Sequence, residues 1–287
     1  MEKVRQYYKL TKPGVLYGNA ITAAAGFLLA SKGDIDWLLF VWLNLGTTLV
    51  IASACVLNNF LDQDIDRLME RTKKRPLIQG DVSGKGAVIF SIVLGLTGIG
   101  LLYATTNWLV VLIGIIGFVD YVVLYGMLSK RLSMHGTLVG SISGATPILA
   151  GYVAVTGAID IGAILVFAIL FLWQMPEFYS ISVYRRKEYK AARIPVISVV
   201  RGVKRTKLHV AAYTLLFTVC IFLLAITGYA DWVYVFVIGG MSLYWLWLAL
   251  VGLRSKDDDK WARKMFRFSL IILLAFCAII SLEAYLP

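Results

Sequence analysis

Long apolar runs separated by short polar breaks set the pattern of this chain. Nine of them approach or reach the roughly 20 residues of helix that cross a bilayer: residues 15–30, 37–57, 87–104, 108–128, 136–156, 161–179, 210–229, 232–253 and 268–286. The pattern predicts an all-α polytopic membrane protein, nine transmembrane helices in a single bundle forming one domain over residues 1–287. Two polar connections are long, 58–86 and 185–207, and residues 1–13 are polar and basic.

Several runs carry residues that lipid does not accept without partners. Asn19 predicts that the start of the first span faces protein or ligand, and Asp120, near the middle of the fourth, requires a pairing or neutralising partner. The fifth contains Gly136, Gly140, Gly144 and Gly151, small residues that permit close helix contact or leave a groove for an apolar tail. Pro176 followed by Glu177, late in the sixth, predicts a break at membrane depth, where freed backbone must be buried or wet.

Composition agrees, with 59% hydrophobic and 16% charged residues and a mean hydropathy of +0.77. The net charge of +11 comes from basic residues gathered between apolar runs, so it offers nothing specific to nucleic acid. With the amino terminus inside, every Lys and Arg except Lys32 falls on the cytoplasmic side, while Asp34, Asp36, Asp160 and Asp231 occupy turns on the other. This positive-inside pattern predicts N-in, C-out topology with a polar cap facing the cytoplasm. The first span follows basic residues without a small-residue cleavage pattern, so it reads as a retained helix. Cys55, Cys220 and Cys277 lie in apolar runs with no metal or redox spacing.

The densest chemistry follows the second run, in Asn58-Asn59-Phe60-Leu61-Asp62-Gln63-Asp64-Ile65-Asp66-Arg67. If the helix continues, Asn58, Asp62 and Asp66 are i,i+4 neighbours on one face, while Asp64 points away and takes no assigned role. Carboxylates one turn apart repel, and a divalent cation turns that repulsion into ligation. Mg2+ suits such oxygen donors because it shares itself between protein carboxylates and substrate phosphates. The same side of the membrane gathers Arg67, Arg71, Lys74 and Arg75 after the second span and Lys130-Arg131 after the fourth. Together these fit a polyanionic head with a long apolar tail, such as a prenyl diphosphate. Tyr121, Tyr125, Trp173 and Tyr179 offer aromatic faces to a cationic prenyl group, or simply pack. Glu177 reads either as a site residue or as a partner of Arg185, and the basic residues also read as ordinary topology determinants.

Taken together, these stretches resemble the UbiA superfamily of intramembrane prenyltransferases, and within it the branch that farnesylates protoheme IX. The likeness is carried by Thr11-Lys12-Pro13-Gly14 with Asn19, by Asn58 through Arg67, and by Met69 through Lys73 with Arg75. It continues in Tyr121 and Tyr125 with Lys130-Arg131, in Trp173-Gln174-Met175-Pro176 with Phe178-Tyr179, and in Trp261-Ala262-Arg263-Lys264, so that it covers essentially the whole chain.

The resemblance implies a multi-pass protein of the cell membrane with a central cavity. It also implies transfer of the farnesyl group of farnesyl diphosphate to the 2-vinyl group of protoheme IX, with addition of water. Mg2+ is the implied cofactor, held by Asn58, Asp62 and Asp66, and haem is a substrate. Asp62, Asp66, Lys130 and Arg131 are the implied catalytic residues. Substrate contacts are implied at Asn19, Asn58, Asn59, Arg67, Arg71, Lys74, Arg75, Tyr121, Tyr125, Trp173, Gln174, Glu177 and Tyr179. Implied partners are both substrates, the bilayer, and a downstream haem-modifying enzyme or terminal oxidase assembly, with no nucleic acid. Two positions depart from the pattern: Glu177 stands where a histidine is expected, and Asp120 where an apolar residue is expected. Competing readings are a prenyltransferase for an aromatic or lipid acceptor, a membrane carrier, and a haem-binding assembly factor without catalysis.

Overall fold

The structure, a computed structural model, describes residues 2–286. Among these, nine helices are long and apolar enough to cross a membrane: α1 (Pro13–Ser31), α2 (Trp37–Leu61), α3 (Gly84–Thr105), α4 (Trp108–Leu132), α5 (Gly136–Thr156), α6 (Ile161–Tyr184), α7 (Gly202–Ile226), α8 (Trp232–Gly252) and α9 (Asp258–Tyr285). Polar side chains start several of them by accepting from free backbone N–H groups of the first turn. Asp36 accepts from Leu38 and Leu39, Ser83 from Gly86, Asn107 from Val110, Asp160 from Ala163 and Asp257 from Lys260. Asp36 and Asp160 of the short turns are therefore helix caps as well as charges.

Helix ends extend past the apolar runs wherever a polar segment packs on protein. α9 begins ten residues before the run at 268, because Trp261, Ala262 and Met265 are buried against the bundle while charged neighbours stay wet. Residues 1–13, expected only as a polar segment, include a helix, Glu2–Leu10, whose Leu10 is buried with Val56, Leu77, Val82 and Ala87.

The break expected at Pro176 is absent: α6 is continuous from Ile161 to Tyr184. A proline removes one intrahelical bond, and here the flanking turns are held by Gln174 Nε2 donating to the Leu170 carbonyl and Ser180 Oγ donating to the Pro176 carbonyl. Irregular stretches lie instead in α8, π-helical over Val235–Gly239, and in α4, which becomes a π-helix over Asp120–Ser129. Asp120 is buried there and accepts a hydrogen bond from the Ser143 N–H of α5 at 3.0 Å.

Each span packs on the next in sequence, and α9 returns to α1, so the bundle closes on itself. α1 also crosses α5 closely. A Cβ at Gly26 would lie 2.1 Å from the Ile148 carbonyl oxygen, and one at Gly151 would lie 2.0 Å from that of Ala23. At one end of the bundle the two long connections meet, with Ile65 and Met69 buried against Ala192 and Ile194. That contact brings the acidic stretch under the connection between α6 and α7.

Candidate active site

The end of α2 builds the acidic half of the site. The helical ladder persists across the stretch, with the Asp62 N–H donating to the Asn58 carbonyl at 3.0 Å and the Asp66 N–H to the Asp62 carbonyl at 2.8 Å. The i,i+4 spacing therefore holds, and Asn58, Asp62 and Asp66 are all buried. Burying carboxylates in a membrane protein requires counter-charges. Lys130 Nζ meets Asp62 Oδ2 at 2.5 Å and Arg75 meets Asp66 Oδ2 at 2.5 Å. Asp64 faces outward and forms a two-pronged pair with Arg131 at 2.6 and 2.8 Å. The Arg131 guanidinium beside it holds the Asp64 carboxyl down to about 2. Arg131 also donates to the Leu61 carbonyl at 2.8 Å, tying the end of α4 to the end of α2.

Lys12, quoted in the sequence likeness but given no role, belongs to this cluster. Its backbone is left-handed, at φ 54°, directly before Pro13. The side chain reaches Asn58 Oδ1 at 2.5 Å and the Tyr121 hydroxyl at 3.4 Å. Burial pushes the Lys12 ammonium down to about 8, and the Arg75 and Lys130 charges act in the same direction. A lysine at the foot of the first span, on the same membrane side as the acidic stretch, was the available sequence signal. Tyr121 and Tyr125 stack at 5.8 Å, with Lys12 lying 5.8 Å from the Tyr121 ring centre and Lys130 5.9 Å from that of Tyr125.

Below this cluster a cavity of about 530 Å3 opens between α1, α2, α3, α4, α5, α6 and α9. Its polar mouth carries Lys12, Asn58, Asp62, Asp66, Arg71, Arg75, Lys130 and Tyr189, and its walls continue through Asn19, Tyr121, Tyr125, Trp173, Gln174 and Glu177 into Leu102, Ile113, Leu270 and Leu273. Small residues of α5 leave room for it, since Gly136, Gly140 and Gly144 all line the wall. The glycines of the fifth span serve both expected roles, since a Cβ at Gly144 would strike the Gln174 side chain of the cavity wall and one at Gly151 the backbone of α1.

Other expected site residues sit elsewhere. Tyr179 is two residues from Glu177, about 200° round the helix, and packs on His209 and Tyr213 of α7, so it does not line the cavity. Asn59 donates to the Leu10 carbonyl at 2.7 Å and holds the amino-terminal helix. Arg67 and Lys74 are exposed and outside the cavity lining, as is the partly buried Arg131. Two cavity residues are committed to structure: Trp173 Nε1 donates to the Ser269 carbonyl, and Gln174 Nε2 to those of Ser141 and Leu170. Glu177 does not pair with Arg185, which bonds Glu188 instead at 2.9 Å.

Among the described residues no group of three His, Cys, Asp or Glu side chains is set to hold a metal. Mg2+ needs fewer protein ligands when substrate phosphate completes its shell, and the donors fit that use. Asp62 Oδ1 is buried without a hydrogen-bond partner, with the Arg131 guanidinium 3.6 Å away, and Asp66 presents a second hard carboxylate to the same cavity mouth.

A closed bundle of nine apolar helices, with an ion-rich mouth above an apolar chamber, defines a protein that works inside the membrane on an anionic amphiphile. The chain belongs to the UbiA prenyltransferase family, whose family model matches residues 19–271. It is 46% identical over 284 residues to the protoheme IX farnesyltransferase of Photorhabdus laumondii subsp. laumondii, covering 99% of this chain and 97% of that one. It is likewise 46% identical to the protein of that name in Klebsiella pneumoniae subsp. pneumoniae, covering 99% and 96%. Among solved structures, a digeranylgeranylglyceryl phosphate synthase superposes with a TM-score of 0.83 at 21% identity, covering 99% of each chain. A UbiA homolog from Archaeoglobus fulgidus bound to GPP and Mg2+ superposes with a TM-score of 0.72 at 16% identity, covering 96% of this chain and 99% of that one. These distant likenesses carry the fold.

Proposed function

We propose that this chain transfers the farnesyl group of farnesyl diphosphate to the 2-vinyl group of protoheme IX, with addition of water, giving haem O and diphosphate. The observation that carries this reading is the 46% identity, sustained over 99% of the chain, to protoheme IX farnesyltransferase. The cavity supports it, because one end suits a diphosphate and the remainder suits an isoprenoid and a flat apolar macrocycle.

Asp62 and Asp66, with Asn58, would hold Mg2+, which supplies positive charge to the diphosphate as it leaves. The chain's own cations do the remaining electrostatic work. Lys130, Arg75 and Arg71 line the mouth and take up charge on the departing oxygens. Arg67, Lys74 and Arg131 act from outside it, steering the anion and pinning the end of α4 to α2. Tyr121 and Tyr125 present aromatic faces beneath that charge, where a prenyl group gaining cationic character is stabilised. Trp173 and Gln174 set the wall of the chamber. The mouth faces the cytoplasm, with the amino terminus inside and the carboxyl terminus outside, as the placement of Lys and Arg supports. A carrier reading loses one feature that favoured it, since α6 is unbroken, and Asp120, bonded by the Ser143 N–H, lies outside the cavity lining.

Membranes containing the protein, supplied with farnesyl diphosphate, protoheme and Mg2+, are expected to yield a more apolar haem whose mass fits one added farnesyl group and one hydroxyl group. Chelation should stop its formation and Mg2+ should restore it. Unaltered haem from an otherwise active membrane preparation would sink the reading, and prenylation of a different acceptor would redirect it.

A further inference from the structure

One titratable group of the chamber takes no part in holding the metal or the diphosphate. Glu177 is 7% exposed and lines the cavity, yet no hydrogen bond or ion pair reaches its carboxylate among the described residues. The other two cavity carboxylates, Asp62 and Asp66, each hold a cation. The neighbours of Glu177 on the inner face of α6 are Trp173, Gln174, Phe178 and Ile181. It therefore sits on a wall of aromatic and apolar groups, not in the ion cluster. Leaving a carboxylate unpaired at membrane depth is costly, and such groups mark functional positions.

Resting on the farnesylation reading, we infer that Glu177 is the base that takes the proton from the water added to haem. In that step the vinyl π electrons form the bond to farnesyl C1 while the C1–O bond breaks and its electron pair leaves with diphosphate. The vinyl carbon next to the porphyrin ring is left cationic. A water oxygen bonds to that carbon, one of its protons passes to Glu177, and the proton then leaves to diphosphate or bulk water. On the chamber wall, away from the cations of the mouth, no ion pair occupies the Glu177 oxygens, so they can take up a proton from a water in the cavity.

Glu177→Gln keeps the shape of the side chain but accepts no proton. It is expected to lower formation of the hydrated product about 100-fold, with haem affinity, read by optical titration, within about 3-fold of wild type. The residual product should shift toward a haem lighter by one water, formed when the cation loses a proton from its neighbouring carbon. Glu177→Asp should recover at least about 10-fold over the Gln variant. Hydrated product from Glu177→Gln within about 3-fold of wild type would overturn the assignment, as would a loss explained by weakened haem binding or by an altered Mg2+ requirement. Failure of the wild type to farnesylate haem would instead overturn the underlying reading.

Discussion

Asp62 and Asp64 lie two residues apart and have opposite fates. The helix turns Asp62 inward to Lys130 and Asp64 outward to Arg131. The outward pair is solvent-exposed, so its contribution is small. Asp64→Asn should leave turnover within about 3-fold and cost less than about 1 kcal/mol of stability. The Asp64 carboxyl is depressed to about 2, below an unfolded value near 3.9. Its stabilisation is therefore present above about pH 4 and is lost as pH falls toward about 2. Melting curves should show a small gap between wild type and Asp64→Asn that is constant from about pH 5 upward and narrows below about pH 4. Lys130→Met, by contrast, leaves the buried Asp62 with only the more distant Arg131, at 3.6 Å, and removes a cation from the mouth. It should lower kcat/KM for farnesyl diphosphate by 10-fold or more.

The acidic face was legible in the sequence because i,i+4 spacing is local and survives the small kink at Asp62. Lys12 was not, since its bond to Asn58 spans 46 positions and no local pattern announces it. Tyr179 misled for a related reason: it shares a motif with Glu177 but not a helix face.

Among the helices, apolar run length located all nine spans, whereas their ends and interiors depended on packing. Hydropathy stops where lipid stops, and α9 continues into a charged turn that buries only Trp261, Ala262 and Met265 on one side. Pro176 resembled a break because a proline removes a backbone donor, but only one intrahelical bond is lost and α6 runs on unbroken to Tyr184. The glycines of α5 permitted both groove and close crossing, and only the partner helix shows which residue does which. Gly26→Ala puts a methyl group against the Ile148 carbonyl and should cost about 1–3 kcal/mol, read as a lower unfolding midpoint in detergent. Gly100→Ala, in α3 with open space around the added carbon, should be neutral or stabilising by up to about 1 kcal/mol. Equal effects of the two substitutions would contradict the close crossing of α1 and α5.

For the molecule as a whole, the charge pattern and the fold make one joint statement. The acidic stretch, Lys130-Arg131 and the connection between α6 and α7 meet at the same end of the bundle, and that end collects the Lys and Arg residues. Reporter domains fused beyond either terminus should report opposite compartments, cytoplasmic at the amino end and external at the carboxyl end. Matching compartments would require an even number of crossings. The closed ring of helices leaves the apolar chamber directly beneath that ion-rich end.

The decisive comparison is the yield of farnesylated haem, by chromatography with mass detection, from wild type, Asp62→Asn and Asp66→Asn at equal membrane content of folded protein. Both carboxylates are assigned to the leaving group, so each substitution should cut the yield by about 100-fold or more while haem binding persists. Near-normal yield from both variants would contradict the assignment of this end of α2 to the metal and the diphosphate.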